Sequence, residues 1–317
     1  LQLASKNELR KNLPAELKRM IDDWRSYALP ENFAGQWLQL RDMDVVTPSE
    51  RRFPDFKGGV AYSMKRETQT FFEHILKENR SVIEFLNADY TFVNPTLARY
   101  YGINGPKGGD RNKFVKVSLN GTPRGGILTH GSILTLTSNP TRTSPVKRGK
   151  FLLENILGTP PPPAPGGVPP LDDRKIDMER LTLRQQMEAH RTNASCAGCH
   201  AYLDPMGLAF ENYDAVGRWR DTEKGLPVDA AGSLVRGQKF NNLAELRELL
   251  VREMSGDFER NLAENLLTYA LGRGLEHHDK PAVREIVRRT QAAGHRFQAM
   301  ILAVCESVPF QRMRAGE

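Results

Sequence analysis

Apolar residues return every three or four positions over most of this chain, which is the period of an amphipathic helix. The pattern predicts a helix over 7–28, with Leu13, Leu17, Met20, Ile21 and Trp24 on one face. A second runs over 31–41 with Phe33, Ala34, Trp37, Leu38 and Leu40 turned inward, and a long one over 56–79 carries Met64, Phe71, Phe72, Ile75 and Leu76. A short helix over 95–101 has Asp89 or Asn94 as its cap and Gly102 as its stop. Pro145 suits the first turn of another, with Phe151, Leu152 and Ile156 inside and Gly158 at its end. Residues 181–192 are helical, 204–207 read as a turn and 208–213 as a short helix. The last quarter is periodic over 242–253, 257–272, 280–293 and 295–307. Strict alternation, the mark of a half-buried strand, is confined to 113–119. The apolar, hydroxyl-rich stretch 125–137 fits a strand or a short helix, and 226–240 a loop or short hairpin.

These elements predict a mainly α fold: a multi-lobed helical protein with a few short β-strands. The sharpest change of composition is the proline run at 160–170, which reads as a semi-rigid polyproline II strap. The expected organisation is an N-terminal helical lobe (1–140), a middle segment that contains the strap (141–240) and a C-terminal helical lobe (241–317). Stretches this short do not bury independent cores well, so one body is expected.

Composition narrows the function more by exclusion than by signal. No run of eighteen apolar residues is present, so no transmembrane segment is expected. The net charge of +7 is spread over interleaved Lys, Arg, Asp and Glu, a solvated surface, and no nucleic-acid motif accompanies it.

The strongest chemical signal is Cys196-Ala197-Gly198-Cys199-His200, a C-x-x-C-H. Two thiols three residues apart meet the two vinyl groups on one edge of a porphyrin, and the next imidazole lies under the iron as proximal ligand. One covalent c-type haem is therefore expected, held by Cys196, Cys199 and His200. Three other readings of the pair stand beside it. A zinc site needs further ligands, and the only other cysteine is Cys305 on an apolar run. A thioredoxin-type pair needs a βαβ context that is missing here. A Cys196–Cys199 disulfide would close a very tight loop. Haem c is attached after export, so a periplasmic or otherwise exported protein is expected. The chain starts at Leu1, with no signal peptide, and reads as the mature or trimmed part of a longer precursor.

The order of several stretches carries a resemblance: Glu31-Asn-Phe-Ala-Gly-Gln-Trp-Leu, Ala88-Asp-Tyr-Thr-Phe-Val-Asn-Pro, Thr143-Ser-Pro-Val-Lys-Arg-Gly-Lys, the prolines at 160–163, the C-x-x-C-H, the run from Asp204-Pro-Met-Gly to Gly217-Arg-Trp-Arg, and Leu266-Leu-Thr-Tyr-Ala-Leu-Gly-Arg-Gly-Leu-Glu. With them the chain resembles the planctomycete-type cytochrome c proteins that carry three consecutive domains of unknown function. The resemblance implies a haem c in the middle domain, an exported location and a first domain that begins before Leu1. It implies no reaction.

The iron's other ligand decides what such a protein does: a second histidine suits a low-potential carrier, methionine a high-potential one, and an open position allows peroxide or oxygen chemistry. His190, six residues before Cys196, is the first candidate, and a His-Arg pair at this place is common in the family that the chain resembles. Met206 is the alternative and Met187 a third. Arg218, Trp219 and Arg220 are candidates for the haem propionates, with ion pairing to Glu211, Asp214 or Asp221 as the plain alternative. The backbone near Pro205 is expected to supply the carbonyl that orients His200 through its other ring nitrogen. His74, His130 and His295 are expected to be structural and His277 and His278 to lie on the surface. The leading expectation is an exported monohaem cytochrome that carries single electrons to or from a redox partner protein, as part of a larger protein or assembly. Two alternatives stand: a peroxidase- or oxidase-like haem enzyme or the electron-accepting subunit of a dehydrogenase, and a structural subunit of an exported complex.

Overall fold

The capped helices form where the sequence places their stops and starts. The computed structural model describes residues 2–161, 181–190, 194–234 and 237–312, with the backbone alone for 190, 194–199 and 201. Helix α1 spans Leu13–Asp22 and stops where Asp23 turns extended and takes the Arg25 N–H on its carboxylate at 2.9 Å. The single helix expected over 7–28 therefore breaks and restarts as a 3-10 turn, Trp24–Tyr27. The helix expected over 31–41 is likewise divided, into a π turn at Leu29–Phe33, a short α segment at Ala34–Trp37 and a 3-10 turn at Leu40–Asp44. Gln39 in the left-handed region (φ 56°) makes the last division. Helix α2, Val60–Lys77, begins after Gly59, whose φ of +86° only glycine adopts without strain.

Strand β1, Tyr90–Val93, pairs antiparallel with β2, Val115–Ser118, with Tyr90 opposite Ser118 and Val93 opposite Val115. Every residue of β1 is buried, so it lacks the alternation that marks β2. Helix α3, Pro95–Tyr101, is capped by Asn94, whose side chain accepts from the Leu97 N–H at 2.8 Å, and ends at left-handed Gly102. Stretch 125–137 is helical, a 3-10 turn at Ile127–Thr129 followed by α4, Gly131–Leu136. Helix α5, Pro145–Phe151, is capped by Ser144 and runs on into a π turn, Leu152–Ile156.

Helices α6, Leu183–His190, and α7, Ala194–Leu208, come next. The turn expected at 204–207 and the helix expected at 208–213 are both overturned: α7 runs unbroken through Pro205, and non-helical turns follow it. Two small hairpins, β3 (Thr222–Glu223) with β4 (Leu226–Pro227) and β5 (Gly232–Ser233) with β6 (Lys239–Phe240), lead to the C-terminal helices. Helix α8 is one rod, Leu243–Leu271, across the break expected near 254–256. Helices α9, Lys280–Ala292, and α10, Phe297–Glu306, complete the mainly α fold. Residues 162–170 of the expected proline strap lie outside the described residues.

An aromatic cluster joins the two ends of the chain. Phe85 is fully buried, with ring centroids of Trp37, Phe72, Phe297 and Phe71 between 5.5 and 6.0 Å away and Phe258 at 6.4 Å. The apolar core built on these rings also takes in Phe151, Leu203 and Met206, so α5 and α7 share it with α2, α8 and α10.

Candidate functional site

Helix α7 turns the linear motif into a surface. Positions 196, 199 and 200 are i, i+3 and i+4, and on a helix these share one face. The side chains of Cys196 and Cys199, like that of His190 at the end of α6, lie outside the described residues. That of His200 is described and is 16 % exposed. Its Nδ1 lies 2.8 Å from Oδ1 of Asp204, one helical turn on and fully buried. A carboxylate oxygen accepts and does not donate, so with Asp204 ionised Nδ1 is the donor of this bond. The carbonyl expected near Pro205 does not fill this role. The Pro205 carbonyl faces Gly232 of β5, 3.1 Å from where a side chain at Gly232 would begin, and the orienting group is the Asp204 side chain.

The same row of α7, continued along the axis, is closed by α5. A Cβ built on Gly149 would lie 3.0 Å from the carbonyl carbon of Leu203 and 3.3 Å from the Gly207 nitrogen. One built on Gly207 would lie 2.5 Å from the carbonyl carbon of Pro145. Both glycines are required by backbone meeting backbone. Helix α6 is fastened at its start, where the Leu183 N–H faces both carboxylate oxygens of Glu223 at 3.2 Å, and its Met187 packs with Leu183 on Leu208 at the end of α7. Met206 is buried in the main core.

The segment after α7 is held by a cluster in which the Arg220–Glu211 pairing is one of the sequence alternatives and Arg148 is unforeseen. Arg148, fully buried on α5, donates to the carbonyls of Phe210 and Tyr213 at 2.8 Å and of Asp214 at 2.7 Å, and reaches Glu211 at 3.2 Å. Glu211 also accepts from Thr143 at 2.7 Å and from Arg220 at 2.8 Å. Burial raises the Glu211 carboxyl against the pull of Arg148 and Arg220, and lowers Arg148 to about 10. Of the three residues considered for propionates, Arg220 is thus engaged with Glu211, while Arg218 donates to Asp55 at 2.6 Å. Trp219, 42 % exposed, donates its indole N–H to Asp221 and stands edge-on to Tyr213. His130 is buried against Thr68, His295 pairs with Glu259, and His278 pairs with Glu276.

Three family models match the chain. Residues 1–103 match a protein of unknown function, DUF1592; residues 124–223 match a second, DUF1588; and residues 236–310 match a third, DUF1585. All three families are associated with planctomycete-type cytochromes, and the C-x-x-C-H falls inside the middle match. No curated protein and no solved structure matches. Among the described residues no helix is long and apolar enough to cross a membrane.

Proposed function

We propose that this chain is an exported monohaem c-type cytochrome that passes single electrons to and from a partner protein within a larger assembly. The observation that carries the reading is the pairing of a C-x-x-C-H face on α7 with a His200 whose Nδ1 is already held by a buried carboxylate. This donor set suits haem c: two cysteine positions on one helical face for thioether bonds and a histidine whose Nδ1 is held by Asp204. The bound group would supply a one-electron Fe(III)/Fe(II) couple. Cys196 and Cys199 would anchor the ring and His200 would hold the iron, with Asp204 fixing the imidazole through Nδ1. Met206 stands on the same uninterrupted helix as His200 and is packed in the core, which favours His190 as the second residue that would hold the iron. The association of all three matched families with cytochromes supports the same reading.

Spectroscopy of the protein produced with a c-haem maturation system tests it. The expected result is a pyridine haemochrome of thioether-bound haem that is lost in Cys196→Ser, Cys199→Ser and His200→Ala, and a low-spin spectrum without a methionine-to-iron charge-transfer band. Absence of covalent haem would overturn the cytochrome reading. A high-spin spectrum that shifts with cyanide would replace the carrier with an enzyme.

A further inference from the structure

We infer that Asp204 is a positioning residue that also sets the electronics of the site: through His200 it biases the bound iron toward the ferric state. The inference rests on the haem reading above. A neutral carbonyl would orient the imidazole as well as a carboxylate does, because orientation needs only an acceptor. A carboxylate brings a negative charge in addition. It lies 2.8 Å from Nδ1, and Asp204 is 0 % exposed, so water does not screen it. A buried anion hydrogen-bonded to the outer nitrogen of a metal-bound histidine draws the Nδ1 proton toward itself and raises the basicity of Nε2. A more basic donor, with negative charge close behind it, stabilises Fe(III) over Fe(II) and lowers the reduction potential.

The surroundings keep this pair in place. His200 and Asp204 are one turn apart on a single helix. Leu203, next to Asp204, meets α5 backbone to backbone through Gly149, and Gly207 meets Pro145 in the same way. Moving the backbone of this turn, and with it the spacing of Asp204 and His200, would require α7 to lift from α5. The carboxylate is therefore a fixed part of the helix and not a surface group that pairs in passing.

The test is Asp204→Asn in the full-length haem protein, because the amide keeps an accepting oxygen and removes the charge. Three quantities are read: haem content, midpoint potential, and the iron–histidine stretching band of the reduced protein just after photolysis of bound carbon monoxide. The expected result is normal haem content, at least a tenfold higher Fe(II)/Fe(III) ratio at fixed ambient potential, which is a 59 mV rise in midpoint for one electron, and a lower stretching frequency. Normal haem content with an unchanged midpoint and band would overturn the inference. Should the Asn variant fail to mature, the unmodified protein decides. A band above that of a haem ligated by neutral imidazole supports Asp204 as donor-strengthening, and a band equal to it overturns that role. Failure of the parent reading looks different, because the unmodified protein then shows no thioether haem at all.

Discussion

Replacing Gly207 with alanine should destabilise the protein although alanine is the better helix former. Propensity alone favours the change by up to about 1 kcal/mol. The crossing of α5 and α7 opposes it, because the new methyl would lie 2.5 Å from the Pro145 carbonyl carbon and 2.8 Å from its Cα. Carbon atoms rest at about 3.5–4.0 Å, so the two backbones must part by about 1 Å. Neither partner is a flexible side chain that can swing aside, which places the cost at the upper end of the overpacking range, about 3 kcal/mol. The net expectation is a loss of about 2 kcal/mol. Gly149→Ala, with its closest carbon at 3.0 Å, should cost less. Once the helices have separated for one methyl, the second needs little more room, so the double variant should lose less than the sum of the singles. Gly256→Ala is the control: it is exposed within α8, nothing lies within 4 Å of its would-be Cβ, and alanine there should stabilise by about 0.5–1 kcal/mol. Urea unfolding followed by circular dichroism measures all four. A Gly207→Ala protein as stable as the parent, or a strictly additive pair, would refute the close crossing.

Two further outcomes follow from the interior. Phe85→Ala removes the ring that Trp37, Phe71, Phe72, Phe258 and Phe297 surround, and should lower stability by about 4 kcal/mol, read as a fall in the urea midpoint. Burial pushes the Glu67 carboxyl up from 4.5 to about 7 against the hydroxyls of Tyr101 and Thr91, and pushes neighbouring His130 down from 6.5 to about 3, with Arg124 adding to it. Folded Glu67 holds its proton where the unfolded chain has lost it, so its contribution falls as pH rises from 4.5 to 7. Folded His130 stays neutral where the unfolded chain is charged, so its contribution falls as pH drops from 6.5 to 3. The two oppose each other between pH 4.5 and 6.5. Glu67→Gln removes one of them, and the variant's stability relative to the parent should rise through pH 4.5–7 by about 3 kcal/mol at most. A difference that does not change with pH, in paired unfolding curves, would sink this account.

Sequence reasoning succeeded where local chemistry decides and failed where tertiary contact overrides it. Of the two caps offered for α3 Asn94 takes the role, Pro145 opens α5, and the stops Gly102 and Gly158 speak through a few residues each. Asp204-Pro205-Met206-Gly207 looks like a turn because proline lacks an amide hydrogen and both proline and glycine lower helix propensity. In the protein, Gly207 is there to let α5 approach, and the helix runs on. Gly256 suggests a break in α8, but the buried residues Leu249, Leu250, Phe258 and Leu262 on either side hold the rod together. Strand β1 is buried on both faces and so shows no period. Asp204 had one available signal: it lies four residues after His200, within reach on a helix, which the expected turn concealed. The buried Arg148–Glu211 cluster gave none, since charged residues in sequence read as solvated.

That cluster also bears on why the site is built on this helix. A buried ion pair adds little net stability, because desolvation cancels most of the attraction. What Arg148 does instead is collect three carbonyls from the chain leaving α7 and hold Glu211 between itself and Arg220. Any other path for residues 210–214 would strand a guanidinium or a carboxylate in the core, at several kcal/mol. The end of α7 is thus confined to one position, and the glycine crossing with α5 confines its middle. Asp204 lies inside the confined part, and His200 is one turn up from it. In the proposed cytochrome a donor held this way would keep its distance and angle in both oxidation states, so little protein motion would accompany the transfer of an electron. The turn that carries His200 owes its rigidity to contacts two turns away, and substitutions at Gly149, Gly207 or Arg148 should be felt at His200 without touching it.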